Sequence, residues 1–232
     1  MPNKYTYSLT EARTIKVLDD ILKSFDDDKK PILMGGMAVA VYLIDAGLDV
    51  IKYRKTEDID LLAKEKDIIY IKSIVYRIND IKKIIERKIF GKDGIEIIYE
   101  NGPKVSILFS NEEIPYEDLE IKIGKRKIKV RVARLEWLLV DKIFTYLNRK
   151  EEKDLMDVFT LLTLAMKHGI NEELLSNIFE KYSNKYKKHA KTAKEYICGL
   201  FNYLSSRIHH SSASSQHLHF CSPHGGTSSY YP

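Results

Sequence analysis

Between Leu33 and Leu62 the chain has little conformational choice. Ile32-Leu33-Met34 is a short apolar run that Gly35 and Gly36 end, and Met37 to Ala46 is apolar and rich in alanine. This order predicts a strand, a glycine corner and a helix beginning just after the glycines. The first N–H groups of a helix have no partner within it, and glycines place no side chain in front of them, so such a corner suits a phosphate. Asp58 and Asp60 then stand two apart in an apolar run with Ile59, Leu61 and Leu62. Positions two apart on a strand share a face. The two carboxylates therefore point the same way and repel each other unless a cation lies between them. A divalent metal bound through oxygen is the usual solution.

The segment between helix and acidic strand carries Lys52, Arg54 and Lys55. These cations meet phosphates or an RNA backbone, or they belong to a charged surface loop; both readings stand. Upstream, Ser8-Leu9-Thr10-Glu11 has the form of a capping box, and Ile15, Leu18, Ile21 and Leu22 follow at helical spacing. Lys64 to about Lys88 is mostly helical in spacing, with Asn79 as a break and Ile69-Tyr70-Ile71 as an alternative strand. Two hairpins come next: Gly94–Tyr99 with Lys104–Phe109, then Leu119–Ile123 with Lys127–Val132. The strict alternation from Lys127 through Lys129 and Arg131 gives one basic face, which lines an RNA path or simply faces solvent. From Arg134 onward four segments space their apolar residues at three and four, ending near Arg207.

These elements predict an α+β protein: a mixed sheet with flanking helices over residues 1–133, then a helical bundle over 134–208. Residues 209–232 replace Lys, Ile and Glu with Ser, His, Gly and Pro and are expected to form a disordered tail. Its histidines and Cys221 lack the spacing of a folded zinc site. Two cysteines, Cys198 and Cys221, do not make a disulfide framework, which makes a reducing cytoplasm the expected compartment. No apolar run reaches the length of a membrane span, and a signal-peptide pattern is missing at the start. A net charge of +5 leans mildly toward nucleic acid or nucleotide partners. Residues 1–208 contain no glutamine and many Lys, Ile and Glu. That composition fits a thermophile, although an AT-rich genome gives a similar bias.

Gly35-Gly36, a helix, and then Arg54-x-Thr56-x-Asp58-x-Asp60-Leu61 resemble the nucleotidyltransferase superfamily, and within it the AbiEii-type nucleotidyltransferase toxins. The resemblance covers roughly residues 30 to 165. It implies a fold of the nucleotidyltransferase type and transfer of a nucleotide from an NTP to an acceptor hydroxyl on RNA, tRNA above all, or on a protein. It implies Mg²⁺ or Mn²⁺ held by Asp58 and Asp60, triphosphate held by Gly35, Gly36, Arg54 and Lys55, and an antitoxin as partner. It also gives meaning to Asp141-Lys142 and Lys153-Asp154-x-x-Asp157: Lys142 would bind triphosphate and Asp154 would be a catalytic or structural partner. From spacing alone Asp154 and Asp157 share a helical face, and an interhelical ion pair with Lys142 is an equal reading. The superfamily's third carboxylate is expected on a later strand, here Lys104–Phe109, where Ser106 stands in its place. Glu96, Glu100 or Glu120 replaces it, or two carboxylates suffice, or the chain is a degenerate transferase that binds nucleotide or RNA, or serves as a partner subunit. Transfer onto a small molecule would use the same site.

Overall fold

The structure is a computed structural model that describes residues 9–48, 56, 58–89, 91–123, 126–208 and 219–221. The chain forms two compact units, Met1–Arg134 and Leu135–Pro232. In the first, helix α1 (Leu9–Lys23) precedes strand β1 (Ile32–Met34) and helix α2 (Gly35–Asp45). Strand β2 (Asp58–Lys64), helix α3 (Ile68–Val75) and strands β3 (Ile81–Ile89), β4 (Lys92–Tyr99), β5 (Lys104–Ser110), β6 (Tyr116–Ile123) and β7 (Arg126–Ala133) follow. The strands make one seven-stranded sheet in the order β3-β4-β5-β2-β1-β7-β6. It is mixed: β2–β5 and β1–β7 run parallel and the remaining pairs antiparallel.

Alternation along the central strands divides the sheet's two faces. Ile59 and Leu61 on β2, Val105 and Ile107 on β5, and Ile95 and Ile97 on β4 are fully buried. Their register, Ile59 opposite Val105 and Leu61 opposite Ile107, sets them on one face as a continuous apolar layer. The intervening positions of β2 put Asp58 and Asp60 on the other face. Helix α1 buries Leu18, Ile21 and Leu22 at helical spacing. Helix α2 is buried from Gly36 to Leu43, as expected of a helix apolar on every side. Its Tyr42 hydroxyl donates to Glu117 Oε1 at 2.5 Å and reaches the Ala133 carbonyl at 3.2 Å, tying the helix to the β6–β7 hairpin.

The long helix expected over residues 64–88 does not form. Helix α3 ends at Val75, the chain turns through Asn79 and Asp80, and β3 begins at Ile81. Asp80 takes a left-handed φ of 64°, a conformation that Asp and Asn tolerate better than branched residues. Ile81, Ile84, Ile85 and Ile89 are spaced at three and four, as on a helix. Their β-branched side chains nonetheless favour a strand, and pairing with all of β4 decides the outcome. Ile69-Tyr70-Ile71, the alternative strand, lies inside α3.

The second unit contains helices α4 (Leu135–Arg149), α5 (Glu152–His168), α6 (Glu172–Lys185) and α7 (Lys187–Ile208). Gly169 follows α5 with φ 84°, which only glycine adopts readily. Asn171 caps α6 by accepting from the Leu174 N–H at 3.0 Å. Trp137, Phe144 and Tyr182 are buried together, with Trp137 edge-on to Tyr182. Trp137 is thus a core residue. Within the compositionally distinct tail, His219–Cys221 form a short 3₁₀ turn. Phe220 packs edge-on against Phe179 of α6, its N–H donates to Glu172, and Cys221 is bonded to Cys198 of α7. The two cysteines are therefore paired, which the sequence reading does not anticipate: their partnership depends on how the chain returns to α7.

Candidate functional site

The first cluster forms where β1 meets α2. Gly35 has φ +67°, and a Cβ built on it would lie 2.5 Å from Asp60 Oδ2. Glycine is required there twice over, for the left-handed backbone and for the close approach of a carboxylate. Met34 is opposite Asp60 in the β1–β2 ladder, which is how β2 delivers the carboxylate to the start of α2. No side chain caps that helix start, so its polarity is left for the carboxylate's surroundings and for a ligand. Asp58 lies two residues back on the same face, exposed, with Lys104 Nζ at 3.9 Å. Gly35, Gly36, Asp58 and Asp60 are thus brought together. Arg54 and Lys55, with Lys52, lie outside the described residues, as does Ser8 of the capping box.

Neighbouring strands extend this face. Asp60 is opposite Ser106 on β5, and Ser106 is opposite Glu96 on β4. The three side chains therefore project from the same side of the sheet in one row. Glu96 and Ser106 are each 5% exposed. Glu96 Oε1 accepts from Arg87 Nη2 at 2.6 Å, and the Arg87 side chain is 56% exposed. Glu100 falls in the turn after β4. Glu120 sits on β6 at the far edge of the sheet, bound to Lys127 at 2.7 Å, and Lys127 holds that carboxyl below its usual range. Of the three glutamates, Glu96 alone shares a row with Asp60. On the basic strand, Lys127 pairs with Glu120 and Arg131 with Asp118, so much of that face's charge is already met by its hairpin partner.

Among the described residues no three His, Cys, Asp or Glu side chains converge closely enough to hold a metal ion. What Asp58 and Asp60 offer is a pair of hard oxygen donors on one face. Oxygen-only donors of this kind fit Mg²⁺ or Mn²⁺, with further ligands coming from water and phosphate.

A second cluster lies in the helical unit. Lys142 of α4 binds Asp157 of α5 at 2.6 Å and stands 3.7 Å from Asp154 Oδ1. All three are buried, and Asp154 Oδ2 has no hydrogen-bond partner. Beside them, burial pushes the Asp141 carboxyl up, against the opposing pull of the Lys142 charge and a hydrogen bond from the Tyr182 hydroxyl. A pure brace would need only Lys142 and Asp157. The second aspartate, with one oxygen left unpaired, is more than a brace requires.

The sequence matches the family model described as nucleotidyl transferase AbiEii toxin, type IV toxin–antitoxin system, over residues 16–223. No curated protein matches the chain. Among solved structures, the antibiotic-resistance factor ANT(2'')-Ia is similar at TM-score 0.52 and 16% identity, with 84% of this chain and 97% of that one covered. MenT4, a nucleotidyltransferase toxin from Mycobacterium tuberculosis H37Rv, is similar at TM-score 0.52 and 15% identity, with 73% of this chain and 63% of that one covered. At these identities the two structures share the fold, the mixed sheet with flanking helices described above.

Proposed function

The chain belongs to the AbiEii nucleotidyltransferase toxin family, and on that premise we propose that it moves a nucleotide from an NTP onto the hydroxyl of an RNA end, tRNA being the leading acceptor, with Mg²⁺ or Mn²⁺. One observation carries the reading: Asp60 is pressed against Gly35 at the uncapped start of α2, with Asp58 on the same face. A divalent cation bound to Asp58 and Asp60 supplies positive charge to the triphosphate oxygens and to the departing pyrophosphate. The chain's own residues do the remaining work. Backbone N–H groups beyond Gly35 and Gly36 hold phosphate oxygens where no side chain intervenes. Arg54 and Lys55 precede the Asp pair in sequence and add positive charge. In the helical unit, Lys142 and Asp154 are the further candidates for the catalytic machinery, Lys142 as the cation and Asp154 as the carboxylate with an unpaired oxygen. The family also supports an antitoxin as partner and the cytoplasm as compartment, and no described helix is long and apolar enough to cross a membrane.

Incubation with each labelled NTP, Mg²⁺ or Mn²⁺, total RNA and cell protein tests the reading, with Asp58→Ala/Asp60→Ala as control. Label on RNA that disappears in the control is the expected result. Label on protein would change the acceptor class. Absence of label with every NTP, while nucleotide still binds, would favour the second reading, a degenerate transferase that binds without turnover. Ser106 at the place of the expected carboxylate is the observation behind that alternative.

A further inference from the structure

Ser106 breaks a row of acidic groups without breaking the row's geometry. Strands lie about 4.8 Å apart, so Asp60 and Glu96, two strands apart, have backbones roughly 10 Å from each other. Serine is the small residue between them. The residue is 5% exposed. A glutamate reaches further from its backbone than an aspartate. From β4 its carboxylate can lean over a serine and arrive above β5, where an acidic residue at 106 would itself have placed one. A larger side chain at 106 would close that path. In the structure Glu96 is turned the other way, onto Arg87 at the β3 edge. The arginine side of the pair is more than half exposed while the Glu96 side chain is buried, so release of Glu96 needs another cation to take the arginine's place.

We propose that Glu96 is the third carboxylate of the cation site, supplied from β4 across Ser106 and latched by Arg87 until the cation binds. The proposal rests on the transferase reading given above. It assigns Ser106 a role as the gap through which Glu96 reaches, in place of a lost catalytic group.

Mn²⁺ binding by the full-length chain, followed by electron paramagnetic resonance with Mn²⁺ alone and with each NTP, tests this without relying on turnover. Glu96→Gln, which keeps the shape and the ability to accept from Arg87, is expected to weaken Mn²⁺ binding about tenfold or more. Adding Ser106→Asp to Glu96→Gln is expected to restore it, because the carboxylate then comes from β5 directly. Arg87→Met frees Glu96 and is expected to tighten Mn²⁺ binding. Unchanged Mn²⁺ binding in Glu96→Gln, beside loss of binding in Asp60→Asn, would overturn the assignment and leave the transferase reading standing. Failure of Ser106→Asp to restore binding would also overturn it. So would Arg87→Met weakening Mn²⁺ as much as Glu96→Gln, since the ion pair itself would then be what matters. If Asp58→Asn and Asp60→Asn leave Mn²⁺ binding unchanged as well, the assignment falls together with the metal-dependent reading beneath it.

Discussion

Gly35 is the residue on which the first cluster turns. A methyl group there would meet Asp60 Oδ2 at 2.5 Å on a backbone already at φ +67°. Gly35→Ala is therefore expected to cost about 1–3 kcal/mol in stability and to move the Asp60 carboxylate from its place. Denaturant unfolding measures the first effect and Mn²⁺ affinity the second; an alanine variant that keeps both would show that the cradle is not needed. Asp141 makes a separate prediction. Burial raises its folded pKa above the unfolded value, so its favourable contribution is complete below about pH 4 and is lost as pH rises through the folded value. Asp141→Asn is expected to be the more stable protein at neutral pH. The difference should vanish on acidification, as unfolding curves across pH 3 to 7 would reveal.

Helices α4 and α5 are joined by a buried cation with two buried anions, and the two anions are paired unequally. Asp157 holds Lys142 at 2.6 Å, whereas Asp154 keeps an oxygen without a partner. Asp157→Asn removes the close partner of a buried ammonium, leaving it Asp154 at 3.7 Å, and is expected to destabilise the chain by about 3 kcal/mol. Asp154→Asn leaves Lys142 its 2.6 Å partner and is expected to destabilise the chain less than Asp157→Asn while abolishing nucleotide transfer. Chemical denaturation beside the labelling assay separates the two. Equal destabilisation by both variants would make Asp154 a brace. Among the strands, the β4–β5 and β6–β7 hairpins were legible from alternation and turn residues alone. Strand β3 was not, because its isoleucines imitate helical spacing and only the ladder with β4 selects the extended form.

On the scale of the whole chain, the structure divides into Met1–Arg134 and Leu135–Pro232, where strand β7 gives way to helix α4. The C-terminal segment is held to the helical unit by the Cys198–Cys221 bond and by Phe220 on Phe179. Cys198→Ser, or reduction, is expected to lower the stability of that unit by about 2–4 kcal/mol. A melting temperature indifferent to reductant would show that the segment contributes nothing. The family match reaching residue 223 includes this segment, although its composition alone set it apart from the preceding helices.

Local order in the sequence determined the glycine corner, the acidic strand, both hairpins and the four C-terminal helices. Each follows from a short-range rule: glycine's freedom at positive φ, the two-residue period of a strand, the three-to-four spacing of a helix. Tertiary structure alone decided which glutamate stands with Asp60, because register between β2, β5 and β4 is a long-range property and a shift of one residue would turn Glu96 to the opposite face. The same holds for the pairing of Cys198 with Cys221 and for the unequal pairing of Asp154 and Asp157 with Lys142. In each of these, residues far apart in the chain acquire meaning only from what the fold sets beside them.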